Sequence, residues 1–182
     1  MSTTKFPWYV VRLRSNFDKI ASTSLKGKGY DVFFPSYQVR RRWSDRVKEV
    51  EVPLFPGYTF CRFDPRQKLP ILVCPGVLSI LESADGPIPV SEQEVASVKA
   101  IVESGLPFSS FPFFQKGQPV LVERGPLKGT EGVVVRTKGA CRLVVSVFLL
   151  QRSIAAEIDQ DAVRVLPAVR TPVSSRLLPA HA

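Results

Sequence analysis

The first half of the chain alternates between short apolar runs with a two-residue period and stretches with helical spacing. The two-residue period, which is typical of strands, occurs at 8–13, 31–39, 58–63 and 77–81. Helical spacing of apolar residues occurs at 16–26, briefly at 69–74, and from the residue after Ser91 to Gly105. This order predicts an α+β fold of the split βαβ plan, in which helices cover a four-stranded antiparallel sheet.

Two helix starts carry capping signals. Ser91 and Glu94 form the pattern of a full capping box, in which each side chain bonds the backbone N–H of the other residue. Ser15 with Asp18 is a weaker version of the same pattern. We therefore expect helices that begin directly after Ser15 and Ser91.

The segment 52–63, VPLFPGYTFCRF, predicts a strand that is apolar on both faces. Tyr58 and Phe60 point to one face, and Cys61 and Phe63 point to the other. We expect the helices to cover the Cys61/Phe63 face, which leaves the Tyr58/Phe60 face open to a partner.

The pattern changes in the second half. Residues 106–116 contain two prolines and four phenylalanines and break both periods, so we interpret them as a domain boundary. Beyond them, β-branched runs between glycine turns predict five strands at 119–124, 130–136, 142–149, 152–158 and 162–166. Five short strands in this length are typical of a small β-barrel. The predicted units are domains at 1–105 and 117–167, the linker 106–116 and a disordered tail at 168–182.

Composition excludes several classes of function. No apolar run approaches the roughly 18 residues that span a bilayer, and the N-terminus has no signal-peptide core, so we expect a cytoplasmic protein. The three cysteines lie far apart, and His181 is the single histidine of the 182 residues. We therefore expect no metal, no cofactor and no enzymatic activity, since a nucleophile with a base and a phosphate-cradling loop are also missing from the sequence.

The formal net charge of +9 favours nucleic acid, or a machine that acts on it, as partner. Basic residues concentrate around one tryptophan in the segment 40–51. Its candidate nucleic-acid-binding residues are Arg40, Arg41, Arg42, Trp43, Arg46 and Lys48, which would contact phosphates and stack on an unpaired base. The alternative is a solvated hairpin whose positive charges are balanced by the acidic residues interleaved with them.

Residues 117–135, GQPVLVERGPLKGTEGVVV, resemble the KOW motif, a strand, a glycine-centred turn and a second strand. Gly125, Gly129 and Gly132 fall at positions that need positive φ or close backbone approach. The valines expected to face inward are Val120, Val122, Val133 and Val135.

The segments WYVVRLRSN, DVFFPSY, PLFPGYTFCRF and PGVLSIL, followed by the Ser91 helix, resemble the N-terminal domain of NusG proteins in order and spacing. With the KOW segment, the resemblance covers residues 6–167. It implies a monomeric transcription elongation and antitermination factor that docks on the clamp helices of RNA polymerase and suppresses pausing and termination. The aromatic residues implied in polymerase binding are Trp8, Tyr9, Phe55, Tyr58 and Phe60. The basic segment at 40–51 would lie near the upstream DNA and the non-template strand.

The segment VVSVFLL with QRSIAAEI is similar to the family region that meets a small-subunit ribosomal protein or the termination factor Rho. The residues implied in this contact are Phe148, Leu149 and Arg152. Residues 149–153 replace a glycine-containing turn of the housekeeping pattern, and this version is similar to specialised paralogues of the RfaH and UpxY type. In the RfaH type the domain can refold into a helical hairpin. The β-branched residues Val144, Val145 and Val147 favour the barrel here.

A rival interpretation comes from the same strands. Residues 57–63 are similar to the RNP1 signature of an RNA-recognition motif, and residues 8–13 to its RNP2 partner. This alternative is an RNA-binding protein that stacks bases on Tyr9, Tyr58 and Phe60. Pro56 and Thr59 depart from the signature, and the KOW segment would have no explanation.

Overall fold

The computed structural model describes residues 6–42, 47–112, 117–137 and 140–167. They form a mixed α/β molecule with three α-helices and several antiparallel sheets. The helices are α1 Asp18–Gly27, α2 Leu69–Leu72 and α3 Glu92–Glu103. The strands of the first half are β1 Trp8–Leu13, β2 Asp31–Phe33, β3 Ser36–Arg42, β4 Val47–Pro53, β5 Tyr58–Arg62, β6 Val77–Ile80, β7 Glu82–Ser83, β8 Gly86–Pro87 and β9 Pro89–Val90. Those of the second half are β10 Phe108–Pro112, β11 Gln118–Val122, β12 Glu131–Thr137, β13 Ala140–Val147, β14 Arg152–Glu157 and β15 Val163–Val165. The α+β class predicted from the sequence is confirmed.

The N-terminal sheet has the strand order β2-β5-β1-β6, and β9 also pairs with β1. All of these pairings are antiparallel. In the register between β1 and β5, Tyr9 lies opposite Cys61 and Val10 lies opposite Phe60. Residues that oppose each other across a ladder share a face of the sheet, so this register assigns every side chain of the two central strands to one of two faces.

The first face, which we call the closed face, is covered by α1 and α2. Its buried cluster contains Tyr9, Val11, Leu13 and Cys61 from the sheet, Phe63 directly after β5, Ala21 and Leu25 from α1, Ile71 from α2 and Cys74 just beyond α2. Ser22 and Leu25 are buried on one side of α1, and Ile20 on its other side is 54% exposed. The apolar stripe of α1 therefore packs on the sheet in the way that helical periodicity requires.

The second face, which we call the shared face, belongs to a larger cluster. That cluster joins Trp8, Val10, Leu54, Phe55 and Phe60 to Val95, Val98 and Ile101 of α3 and to Leu143, Val145 and Val147 of β13. The expectation that helices cover one face and leave the Tyr58/Phe60 face open is therefore wrong. The reason is that α3, which follows β9, packs with the second face, where the C-terminal half of the chain joins it.

The predicted strand 31–39 is two strands, because Pro35 interrupts it. β2 pairs with β5 inside the N-terminal sheet, and β3 leaves that sheet to form a separate hairpin with β4. The carbonyl of Pro35 accepts a hydrogen bond from the N–H of Leu54 at 2.9 Å, which closes the base of the hairpin. Proline lacks the N–H that a continuing ladder needs, so the chain turns out of the sheet there.

Neither α1 nor α3 has the side-chain hydrogen bonds that the predicted caps require. Ser91 occupies the N-cap of α3, but its side chain makes no cap hydrogen bond. α1 begins with Phe17 at its N-cap, two residues later than predicted. Asp18 in its first turn accepts a hydrogen bond from the N–H of Gly57 at 2.8 Å and so ties α1 to the start of β5.

The C-terminal sheet is antiparallel with the order β10-β14-β13-β12-β11-β15. Five of its strands lie at the predicted positions. The sixth, β10, comes from the predicted linker and pairs with β14 along its whole length. Apolar residues in this segment explain the difference, because Phe108 packs against the shared cluster and contacts the ring of Tyr37 at 5.7 Å. The predicted tail lies outside the described residues.

The three glycines of the KOW segment behave as predicted. Gly125 and Gly129 have φ of 82° and 85°. A Cβ at Gly132 would lie 2.7 Å from the carbonyl oxygen of Val144 on the neighbouring strand. Val120 and Val122 are buried, as expected. On β12, however, Val134 packs against the shared cluster, whereas Val133 and Val135 are half-buried outside it.

Candidate functional site

The five predicted polymerase-binding aromatics all lie in described parts of the chain, and four of them are buried. Trp8, Phe55 and Phe60 belong to the shared cluster, where Phe60 is fully buried. The Phe60 ring packs against Phe55 with 6.0 Å between centroids and against Phe33 at 5.9 Å. Tyr58 packs at the edge of this cluster and is half-buried. The structure therefore brings four of the five together on the shared face.

Tyr9 lies on the opposite, closed face. Its ring is 4.7 Å from that of Phe63, and burial raises the pKa of its phenol. The one-residue step from Trp8 to Tyr9 changes the face, as the strand period requires. An RNA-recognition surface needs Tyr9, Tyr58 and Phe60 on one exposed face. The structure places Tyr9 and Phe60 on opposite faces with both side chains buried.

A buried arginine that sequence reasoning missed fixes the edge of the shared face. Arg62 is 7% exposed, and its guanidinium lies 4.3 Å from the Trp8 ring centroid. It donates hydrogen bonds to the carbonyl of Phe6 at 2.8 Å and to a carboxylate oxygen of Glu92 at 2.7 Å. Its Nε lies 3.2 Å from Asp31. The signal was a lone charge within an apolar strand, which requires partners when it is buried.

α3 and the C-terminal sheet are in direct contact. The apolar side chains of α3 and β13 share one cluster, and a carboxylate oxygen of Glu94 accepts a hydrogen bond from the N–H of Phe148 at 3.3 Å. Burial raises the pKa of Glu94, and the hydrogen bond from Phe148 opposes this shift. The acid predicted to complete a capping box thus contacts the other sheet.

The three predicted partner-binding residues surround the turn between β13 and β14. Phe148 is 57% exposed, Leu149 is half-buried and Arg152 is exposed. Gln151 adopts the left-handed conformation with φ of 50°, and its side-chain amide donates to the carbonyl of Phe148 at 2.8 Å. This is the turn in which a glycine was expected, and the backbone here uses the conformation that glycine favours.

The basic segment forms the hairpin β3–β4. Arg41 lies opposite Lys48 in the register of the two strands. Arg40 pairs with the exposed Glu49 at 3.0 Å, which supports the solvated-hairpin alternative at that position. Arg42 and Lys48 are exposed. Trp43 and Arg46 lie outside the described residues.

Other kinds of site are not formed by the residues that the structure describes. These residues contain no group of three or more histidine, cysteine or acidic side chains that could hold a metal ion. Within the same ranges, no helix has the length and apolar character to cross a membrane. Cys61 and Cys74 are free thiols buried on the closed face, and burial raises the pKa of Cys61 to about 12.

Known proteins resemble this chain in sequence. A family model described as transcription termination factor nusG matches residues 6–99. The transcription termination/antitermination protein NusG of Pasteurella multocida (strain Pm70) is 26% identical over 175 residues, which cover 87% of this chain and 96% of that protein. A solved structure of Thermotoga maritima NusG, described by its domain interaction, is 19% identical with a TM-score of 0.49, and the match covers 88% of this chain and 97% of that one. A MjSpt4:Spt5 complex is 12% identical with a TM-score of 0.30 and covers 87% and 97% of the two chains.

Proposed function

Because the chain belongs to the NusG family of transcription factors, we propose that it is a non-enzymatic elongation and antitermination factor that binds the clamp helices of RNA polymerase through its shared face. The observation that carries the proposal is the family match over residues 6–99, which contains Trp8, Phe55, Tyr58 and Phe60 of that face. In this proposal the bound factor bridges the polymerase cleft and suppresses pausing and termination.

The chemistry of the shared face suits a helical partner. Trp8, Phe55, Tyr58 and Phe60 give a large apolar area from side chains with few rotatable bonds. Such residues dominate binding free energy at protein interfaces, because little rotamer entropy is lost when they are fixed. An amphipathic helix binds a groove of this kind with its apolar face.

Access to the face requires a change in the contact with the C-terminal sheet. Trp8, Phe55 and Phe60 are buried in the cluster that α3 and β13 share. A clamp helix reaches these rings when β13 separates from α3, so polymerase binding and the α3–β13 contact compete. Tyr58, which is half-buried, is the member of the set that a partner meets first.

The C-terminal sheet supplies the second half of the proposal. Phe148 exposes an aromatic ring at the tip of a turn, beside Leu149 and Arg152. We assign this turn to the recruitment of a partner, either a small-subunit ribosomal protein or Rho. The left-handed Gln151 keeps the turn compact without glycine, in accord with a specialised paralogue of the RfaH or UpxY type.

The hairpin β3–β4 is assigned to contact with upstream or non-template DNA. Arg42 and Lys48 are exposed on this hairpin, and such cations are stabilised when an anion neutralises them. A DNA phosphate supplies that anion, and the resulting contact weakens as salt concentration rises.

The test of polymerase binding compares Tyr58→Ala with Tyr30→Ala, using purified RNA polymerase core enzyme. Both tyrosines are half-buried, but Tyr58 packs on the shared cluster and Tyr30 on the closed one. We expect Tyr58→Ala to weaken polymerase binding by about tenfold or more, as the loss of an aromatic anchor does. Tyr30→Ala should bind like the parent protein.

Thermal unfolding of both variants separates loss of binding from loss of folding. Equal losses of affinity in the two variants, in proportion to their losses of stability, would contradict the proposed site. Tight binding of single-stranded RNA without polymerase that depends on Tyr9 and Phe60 would instead favour the RNA-binding alternative.

A further inference from the structure

A cleft lined by arginines lies between the two halves of the molecule, away from the basic hairpin. Its volume is about 470 Å³. Arg12 and Arg14 line it from the N-terminal sheet, and Arg152 lines it from the C-terminal sheet. Ser15, Tyr58 and Leu78 also line the cleft. Tyr58 and Arg152 belong to the proposed polymerase and partner contacts, whereas Arg12 and Arg14 have no role in either contact.

The fold explains why three cations converge at this point. Trp8, Val10 and Arg12 alternate along β1 on the shared face, so the apolar face becomes basic where the strand ends. Arg12 lies opposite Tyr58 in the β1–β5 register. Arg152 is the first residue of β14 and directly follows the left-handed Gln151, so the turn geometry sets its position at the cleft.

These arginines have no counter-charge among the residues that the structure describes. No carboxylate among the described residues lies within ion-pair distance of Arg12, Arg14 or Arg152. No acidic side chain is among the described residues that line the cleft. Arg14 is instead held over the Phe17 ring, with 5.5 Å from its guanidinium carbon to the centroid. Three permanent positive charges around one cavity repel each other until an anion enters.

We propose that this cleft binds a phosphate group, and that a single nucleic-acid strand supplies it. The guanidinium fork matches phosphate oxygens bidentately, which makes clustered arginines suited to this anion. The cavity is larger than one phosphate group requires, and the half-buried Tyr58 ring and the exposed Leu78 give an adjacent base a surface to stack on. Because the arginines come from both sheets, the bound phosphate also holds the two halves together.

The experiment uses the full chain without polymerase, so that its outcome is independent of the proposed clamp-helix contact. Binding of a short labelled single-stranded DNA or RNA is measured by fluorescence anisotropy over a series of salt concentrations. The variants are Arg12→Gln and Arg152→Gln, alone and together. Arg66→Gln is the matched control, because it removes the same charge at an exposed position outside the cleft.

We expect each cleft variant to weaken strand binding by about 3- to 10-fold and to reduce the slope of log K against log salt by about 0.7, as one lost phosphate contact does for a single strand. The double variant should lose less than the product of the two single losses, because both arginines contact one ligand. Lys48→Gln tests the separate hairpin contact. When it is combined with Arg12→Gln, the fold-losses of strand affinity of the two variants should multiply.

A second arm identifies the source of the phosphate. Inorganic phosphate is added while thermal unfolding is followed in the parent protein and in Arg12→Gln. One outcome is that phosphate raises the thermal midpoint of the parent protein alone, while neither Arg12→Gln nor Arg152→Gln changes the affinity for the strand. In that case the site takes free phosphate and the strand assignment is overturned. If Arg12→Gln and Arg152→Gln match Arg66→Gln in both arms, the cleft is not a phosphate site.

Discussion

The closed face and the shared face of the N-terminal sheet have similar apolar content but different covers. The closed face is sealed by α1 and α2, which adjoin its own strands in sequence. The shared face is covered through α3, whose apolar residues also pack with β13 of the C-terminal sheet. A face sealed by its own helices contributes to stability alone. The shared face is covered partly by β13 of the other sheet, so a partner of similar apolar character can replace β13 there.

Phenylalanine truncation on each face should give the largest effects. Phe63 on the closed face and Phe60 on the shared face are both almost fully buried. We expect Phe63→Ala and Phe60→Ala each to lower the free energy of unfolding by about 3–5 kcal/mol, the usual cost of removing a buried ring. Chemical denaturation followed by circular dichroism measures this loss.

The two variants should differ in their effect on the contact between the halves. Phe60→Ala should speed hydrogen exchange of the Phe148 amide, which donates to Glu94, whereas Phe63→Ala should leave it protected under native conditions. Equal exchange of the Phe148 amide in the two variants would show that packing on the shared face is not coupled to its contact with the C-terminal sheet.

Gly132→Ala should weaken the cover from the C-terminal side. The new Cβ would meet the carbonyl oxygen of Val144 at 2.7 Å and the side chain of Leu143 at 2.9 Å, so the two strands must move apart. We expect a loss of about 1–3 kcal/mol, which is typical of overpacking, measured by the thermal midpoint. Gly27→Ala is the control, since its Cβ would meet nothing within 4 Å. A Gly132→Ala protein as stable as the control would mean that the close approach of β12 and β13 is not required.

Cys61 reports on the closed face. Burial raises the pKa of its thiol to about 12, so at neutral pH the reactive thiolate is scarce and the sulfur is inaccessible. We expect alkylation of Cys61 to be at least about tenfold slower than that of the half-buried Cys141. A raised pKa of this kind stabilises the fold fully below the ordinary thiol pKa and loses that contribution as pH rises toward 12. Mass spectrometry after timed alkylation gives both rates, and rapid labelling of Cys61 would show that the closed face opens readily.

Periodicity was sufficient to predict most elements of the fold. The two-residue period gave β1, β5 and β6, and helical spacing gave α1 and α3, because both patterns follow from local geometry. The glycines at 125, 129 and 132 were also predictable, since their backbone demands are local. Pro35 signalled a break, but local sequence does not indicate whether a break is a bulge or the start of a separate hairpin.

The cover of the shared face was not predictable in this way. The sequence places Tyr58 and Phe60 on one face, but whether that face is open depends on where α3 and β13 come to lie. Glu94 shows the same limit: its spacing from Ser91 favoured a capping box, and the contact with Phe148 arises from an element more than fifty residues away. The Arg12–Arg152 cleft likewise joins residues that no local pattern relates.

Glu94→Gln should give the smallest effect and tests the contact most directly. Burial against the C-terminal sheet raises the pKa of Glu94, so closing the contact favours its protonated form. The contribution of Glu94 to the contact is therefore largest below the ordinary glutamate pKa and is lost as pH rises through the raised value. At neutral pH the glutamine variant removes the cost of a buried charge and can still accept the hydrogen bond from Phe148.

We expect the Phe148 amide to exchange more slowly in Glu94→Gln than in the parent protein at pH 7. Once the intrinsic exchange rate is subtracted, the exchange of this amide in Glu94→Gln should not depend on pH. Glu103→Gln, at an exposed position of the same helix, should retain the parent profile. Faster exchange in Glu94→Gln would mean that the charged hydrogen bond, rather than desolvation of the carboxylate, controls the junction between α3 and the C-terminal sheet.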